Sequence, residues 1–243
     1  MHIQIAESYG DMSSATASHV EDYLKTKPES LLCFPSGDSP TGTLKKLVAD
    51  AQQGLTDFSR CRFVGLDEWV GMDKHDDGSC QQYLYSNLFN PLQISADRIM
   101  FFNAKAKDLE AECKKTDQYI FQHGPLDILI VGVGVNGHIG LNEPGSSFTS
   151  YAHVVNLAES TKTSGQKYFS RATNLEKGIT VGIRHMMEAV TVIVIASGEK
   201  KADIIQKITE GPVTTEIPGS ILQHHPNCFF FLDQAAASKL SRK

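Results

Sequence analysis

The sequence predicts an α/β fold in which a parallel sheet is covered by helices on both faces. Three observations predict it. Short apolar runs recur along the chain, stretches with helical spacing lie between them, and polar or glycine-bearing segments begin where the runs end. Runs rich in β-branched residues without clean alternation suit strands buried on both faces. Their alternation with helices suits a parallel sheet. With 243 residues and no internal repeat, low-complexity tract or linker-like stretch, the chain is expected to form one domain over 1–243.

In chain order, residues 3–6 are a weak strand candidate and residues 31–34 a clear one. Leu44, Leu47, Val48 and Ala51 then fall at i, i+3, i+4 and i+7, the spacing of one buried helical face. Residues 62–66 form the next apolar run. Leu109, Cys113, Thr116 and Ile120 make a looser helical stripe that ends before the stop signal Gly124-Pro125. Residues 126–131 are a strand candidate, 153–157 a weaker one and 190–196 another clear one. A helix is expected over 199–210, ended by Gly211-Pro212, and the last strand over 228–232.

Four chemically rich segments follow strand candidates: 35–40, 67–71, 132–145 and 197–201. In open α/β sheets, ligands bind outside the carboxyl ends of the strands. One shared site explains the four loops better than chance.

Composition narrows what that site handles. The formal net charge is −5, with 41% hydrophobic and 21% charged residues. Mild acidity points away from a nucleic-acid partner, which calls for a basic face, while a locally positive pocket can still take a small anion. The five cysteines are odd in number, widely spaced and without a CxxC pair. They suggest buried thiols in a reducing compartment rather than zinc or disulfides. The N-terminal residues lack a basic region followed by an apolar core, and no apolar run approaches the ~20 residues of a membrane span. A cytoplasmic location and no membrane partner are expected.

Ser36-Gly37-Asp38-Ser39-Pro40-Thr41 links a strand to a helix. Backbone N–H groups at a helix start favour an anion; capping by Ser39 or Thr41 explains the same composition equally well. No Gly-Lys-Ser/Thr follows, so the segment suits a sugar phosphate better than a nucleoside triphosphate. Asp67 and Glu68 are adjacent carboxylates at the end of a buried strand, costly there unless solvated, paired or used. Because successive strand residues face opposite ways, one can enter the site while the other bonds to structure. Trp69 reads as packing.

Residues 132–145 formally contain GxGxxG after a strand, but Gly140 and 142–145 disfavour the continuous helix that a dinucleotide site requires. An irregular loop that brings His138 beside Glu143 is the better reading, since a carboxylate orients an imidazole for acid–base work. Lys201, Lys167 and Arg171 are candidate positive charges for the anion, against the simpler reading of solvated surface charges.

At these residues the sequence resembles the glucosamine-6-phosphate deaminase/isomerase family over nearly its whole length. The motifs are Ser36-Gly37-Asp38-Ser39-Pro40, Leu66-Asp67-Glu68-Trp69-Val70-Gly71 and, most specifically, Asn136-Gly137-His138-Ile139-Gly140-Leu141-Asn142-Glu143-Pro144-Gly145. The resemblance implies a doubly wound, mostly parallel α/β sheet, a modified Rossmann-like three-layer sandwich. It also implies isomerisation coupled to deamination of a hexosamine 6-phosphate, without metal or redox cofactor. Within it, Asp67 matches the base moving a proton between C2 and C1, His138 the residue assisting ring opening, and Glu143 its carboxylate partner. Asn136 stands in the same catalytic set, where some members have aspartate. Ser36, Gly37, Asp38, Ser39, Thr41, Gly137, Lys167 and Lys201 match substrate- and phosphate-contacting positions. Lys167 replaces the arginine of many members and loses bidentate recognition.

Trp69, Gly78-Ser79-Cys80 and Ile217-Pro218-Gly219-Ser220 resemble the galactosamine-6-phosphate branch. The chain is shorter than the allosteric hexameric members, so strong cooperativity is not expected; monomer and homo-oligomer are both compatible. Two rivals share the fold. A 6-phosphogluconolactonase also has a Gly-His loop, but Asn142-Glu143-Pro144 and the Asp67 motif favour the deaminase. A sugar-phosphate sensor would carry a DNA-binding segment, and no basic helix-turn-helix pattern is present.

Overall fold

The computed structural model describes residues 1–241. In chain order the strands are β1 (His2–Ala6), β2 (Leu31–Phe34), β3 (Arg62–Gly65), β4 (Asp67–Trp69), β5 (Ile99–Met100), β6 (Ile128–Gly132), β7 (His153–Asn156), β8 (Lys177–Thr180), β9 (Thr191–Ala196) and β10 (Cys228–Asp233). The helices are α1 (Tyr9–Thr26), α2 (Asp38–Gln52), α3 (Cys80–Leu84), α4 (Leu109–His123), α5 (Glu159–Gly165), α6 (Ile183–Glu188) and α7 (Ala202–Glu210).

Seven strands form one sheet, ordered β1-β10-β9-β6-β2-β3-β5, with every pairing parallel. Adjacent residues on the inner strands feed opposite cores. Cys33, Val64, Leu129 and Val194 join one cluster with Cys113 and Ile120 of α4 and Ile205 of α7. Leu32, Phe63, Ile130 and Ile193 join the other with Val20 of α1 and Leu47 of α2. Each such side chain, fully buried, contributes about 1.5–3 kcal/mol of hydrophobic stabilisation. Helix layers on both faces of a parallel sheet make the doubly wound sandwich that the sequence implies.

Several features differ from the expectation, and β5, a two-residue edge strand, is not among the strand candidates. Strand β1 is an edge, with Ile3 39% and Ile5 36% exposed, because only β10 flanks it. Residues 67–69 are a strand rather than a polar loop: β4 pairs antiparallel with β8, and β8 with β7, in a separate three-stranded sheet. Helix α1, the longest, escapes the apolar period because small polar residues, Ser13 and Thr16, share its buried face with Met12, Ala17, Val20 and Leu24. No described helix is long and apolar enough to cross a membrane.

The order places β2 beside β6. From β2 the chain steps outward through β3 to β5, and from β6 it steps the other way through β9 to β10. This is the switch point where the loops after neighbouring strands part and leave a crevice.

Candidate active site

A cavity of about 920 Å³ opens at this crevice. Its wall includes parts of all four segments singled out in the sequence, joined by Cys80 and by Thr161 to Tyr168 of the α5 turn. A smaller depression of about 380 Å³ lies around Glu29, Arg60, Arg62 and His123, remote from these strand ends.

The first wall is the start of α2. Gly37 is its N-cap, with φ +108° and no side-chain cap, so neither Ser39 nor Thr41 satisfies the first turn. A Cβ at Gly37 would stand 3.0 Å from the Tyr168 hydroxyl, and only glycine adopts that φ without strain. Ser36, Gly37, Asp38 and Ser39 line the cavity. Thr41 does not: its hydroxyl turns back to the Gly37 carbonyl at 3.0 Å and to Tyr83 at 2.7 Å.

Two lysines face this helix start. Lys201 is largely buried and donates to the Val133 carbonyl at 2.5 Å. Burial, with Lys167 nearby, holds its ammonium below the ordinary lysine range. Lys167 is more exposed and pairs with Asp38 at 2.5 Å. Arg171 is exposed and lies outside the cavity wall.

Strand β4 sets the second wall. Asp67 lines the cavity although only 8% exposed. Burial, then the neighbouring Glu68 charge, pushes its carboxyl up to about 7, against a smaller downward pull from Cys80. Glu68 faces the other way and accepts from the backbone N–H groups of Trp69 at 2.9 Å, Cys80 at 3.0 Å and Gln81 at 2.8 Å. It thereby anchors the start of α3. Trp69 packs with Cys80, Leu141, Leu157 and Leu175 while also lining the cavity.

The glycine-rich loop after β6 carries the third group. His138 lines the cavity with Glu143 behind it, Nδ1 to Oε2 being 3.6 Å. The Thr161 hydroxyl lies 3.2 Å from the same nitrogen. Asn136 ties the pair together: its Nδ2 donates to Glu143 Oε2 at 2.8 Å, and its Oδ1 accepts from the His138 backbone N–H at 3.2 Å. Burial pushes the Glu143 carboxyl up, but His138, Thr161 and Asn136 together outweigh it and hold the group below its ordinary value. Gly137 is outside the cavity wall; a Cβ there would meet Ile217 at 2.7 Å, so it serves the turn and its packing.

Sequence reasoning missed Thr161 and Tyr168 as wall residues, although it had marked the neighbouring Lys167. Isolated hydroxyls carry no spacing signal, and only the return of α5 over the loop brings them in. Among the described residues no group of three or more His, Cys, Asp or Glu side chains gathers as metal ligands.

The chain matches the family described as glucosamine-6-phosphate isomerases/6-phosphogluconolactonase over residues 5–230. It is 37% identical over 244 residues to a glucosamine-6-phosphate deaminase of Clostridium botulinum (strain Hall), covering 100% of both chains. It is 38% identical over 243 residues to glucosamine-6-phosphate deaminase 2 of Bacillus subtilis (strain 168), covering 99% of this chain and 98% of that one. The structure of a monomeric glucosamine-6-phosphate deaminase superposes with a TM-score of 0.95 at 33% identity, covering 98% of this chain and 100% of the other. The 6-phosphogluconolactonase of Trypanosoma brucei, at 18% identity, 99% and 98% coverage and a TM-score of 0.78, shares the fold. With the cavity already described, these likenesses define an enzyme of the amino-sugar-phosphate isomerase/deaminase class. The chain belongs to the glucosamine-6-phosphate isomerase/6-phosphogluconolactonase family.

Proposed function

We propose that this enzyme converts a hexosamine 6-phosphate to a ketose 6-phosphate and ammonia, a step of amino-sugar breakdown. The observation that carries the reading is Asp67: a buried carboxyl, raised to about 7, in the wall of a cavity that has Lys167, Lys201 and an open helix start elsewhere in its lining. A base poised near neutrality can both take a proton from carbon and return it.

The phosphate sits at the start of α2, held by N–H groups around Gly37 to Ser39 and by Lys201, with Lys167 exchanging its Asp38 partner for the phosphate. His138, oriented by Glu143, Asn136 and Thr161, moves a proton between the anomeric hydroxyl and the ring oxygen as the C1–O5 bond opens. Asp67 removes the C2 proton to give an enol-type intermediate and returns a proton to C1. The C2 imine left behind takes up one water and releases ammonia, leaving the C2 ketone. Thr41 and Gly137 act by shaping the loops that hold these groups.

Glucosamine 6-phosphate is the substrate for which the relatives are named. A preference for the galacto epimer is a second reading. It is favoured by Trp69 and Cys80 in the cavity wall, whereas Ile217 to Ser220 lie outside the wall and pack behind the glycine loop, Gly219 N–H donating to Gly137 at 2.9 Å.

The deciding assay supplies both epimers and 6-phosphogluconolactone separately, and follows ammonia, ketose phosphate and lactone hydrolysis. Ammonia with equimolar ketose phosphate from either epimer supports the proposal, and the ratio of kcat/KM names the epimer. Lactone hydrolysis without ammonia release from either amino sugar overturns it.

A further inference from the structure

Gly132, Gly134 and Gly137 stand in GxGxxG spacing at the end of β6, and the proposed chemistry uses none of them directly. Gly132 closes β6, with the Ser39 side chain 3.8 Å from where its Cβ would be. Gly137 takes φ +89° in the turn. Gly134 is different. Its φ lies outside the left-handed region, so its backbone would accept any residue. Yet a Cβ there would stand 2.2 Å from Cε1 of His138, 2.4 Å from Nδ1 and 2.5 Å from Nε2.

The imidazole therefore occupies the volume that a side chain at Gly134 would take. The loop backbone fixes this arrangement. Gly134 N–H donates to the His138 carbonyl at 2.9 Å, and Gly137 N–H donates to the Gly134 carbonyl at 3.0 Å. The Val133 carbonyl just before it is held by Lys201. On another side of the ring, Nδ1 meets the Thr161 hydroxyl at 3.2 Å.

We propose that Gly134 is a positioning residue: its missing side chain forms the seat of the His138 ring and holds Nδ1 against Thr161 and Glu143. The inference rests on the reading of His138 as the group that opens the sugar ring. It also gives the GxG spacing a purpose unrelated to dinucleotides. Ordinary contact begins at 3.4 Å, so a methyl group at 2.2 Å would drive the ring away by about an ångström. Misplacement of that size costs about 10²-fold in turnover.

The test compares the parent with Gly134→Ala, His138→Ala and the doubly substituted protein. Each is followed by kcat and KM on glucosamine 6-phosphate, by Tm and by imidazole NMR, the His138 resonances being assigned from their loss in His138→Ala. Gly134→Ala should lower kcat by about 10²-fold with KM little changed, and should shift the His138 resonances. In the His138→Ala background the same methyl group fills the vacated ring volume, so it should lower neither kcat nor Tm further. Parental kcat with unshifted resonances in Gly134→Ala overturns the proposal, as does an undiminished second loss in the double variant. If Gly134→Ala alone fails to fold, recovery of folding in the double variant supports the seat, and continued failure overturns it. If the parent turns over no hexosamine phosphate, the functional reading fails, while NMR and Tm still decide the role of Gly134.

Discussion

Lys167 and Asp38, 129 residues apart in sequence, form a 2.5 Å ion pair that ties the turn after α5 to the first turn of α2. Lys167 also stands 4.8 Å from the centre of the Tyr168 ring. Lys201, by contrast, forms no ion pair among the described residues and instead donates a hydrogen bond to the Val133 carbonyl. The two cations therefore start from different conditions when an anion arrives.

That difference predicts unequal effects on KM. Lys201→Ala removes a buried charge already aimed at the loop, worth about 1.5–3 kcal/mol as a charge-assisted hydrogen bond. KM should rise by about 10-fold or more, with a smaller fall in kcat. Lys167→Ala removes a half-exposed charge that must first leave Asp38, and KM should rise less. Steady-state kinetics of both variants checks the order; a larger KM effect from Lys167→Ala would reverse the assignment.

Asp67→Asn keeps size and removes the basic oxygen. Turnover should fall by about 10²-fold or more while substrate binding persists. Glu68→Gln should act on stability instead, because one oxygen that accepts backbone N–H groups becomes an amide that cannot; a loss of about 1–3 kcal/mol is expected. Single-turnover kinetics with urea unfolding of each variant separates the roles, and near-parental kcat in folded Asp67→Asn would remove it as the base.

Asp67 also sets a pH dependence of stability. Its folded pKa of about 7 lies above the ordinary 3.8, so between these values the folded state keeps a proton that the unfolded chain releases. Stability from this group is therefore full below about pH 4 and is lost as pH rises towards 7. Asp67→Asn abolishes the titration and should be more stable than the parent at pH 8, by at most about 4 kcal/mol, with the advantage gone by pH 4. Urea unfolding at both pH values measures the difference.

Gly37→Ala tests the anion cradle. A side chain at φ +108°, 3.0 Å from the Tyr168 hydroxyl, should cost about 1–3 kcal/mol of stability and weaken binding of inorganic phosphate. Calorimetric titration with phosphate, on protein shown to be folded, checks the second effect.

The inner strands β2, β3, β6 and β9, with β10, are legible because they are apolar runs, and the four site segments because polar residues follow those runs abruptly. The edge strands are less legible, since β1 alternates polar and apolar residues and β5 has only two residues. The two-residue period of a strand suffices to separate Asp67 from Glu68, and the two side chains do point to different surroundings, one into the cavity and the other onto the start of α3. What escaped had weak local signal. Residues 177–180, Lys-Gly-Ile-Thr, contain one large apolar side chain, so β8 is defined by its partners β4 and β7 rather than by composition. Thr161 reaches His138 across 23 residues, a contact no local pattern encodes. Thr41 and Gly137 were placed with the substrate because they lie inside the right motifs, but the first turns its hydroxyl to Tyr83 and the second abuts Ile217.

Pairing of β4 with β8 sets Asp67 opposite Thr180 and Glu68 opposite Ile179, and the Val181 N–H to Leu66 carbonyl bond of 2.9 Å extends the ladder. A slip of one residue would exchange the faces of the two acids. Composition would hardly object, since one carboxylate would replace another. The reactive group would then cap α3, and the longer side chain would enter the cavity with one more methylene and a displaced oxygen. Fidelity of the chemistry thus depends on the error-free threading of a three-residue strand. Faults here would produce a folded, soluble and inert population. Specific activity per folded molecule, rather than yield or melting temperature, would be the quantity that reports it.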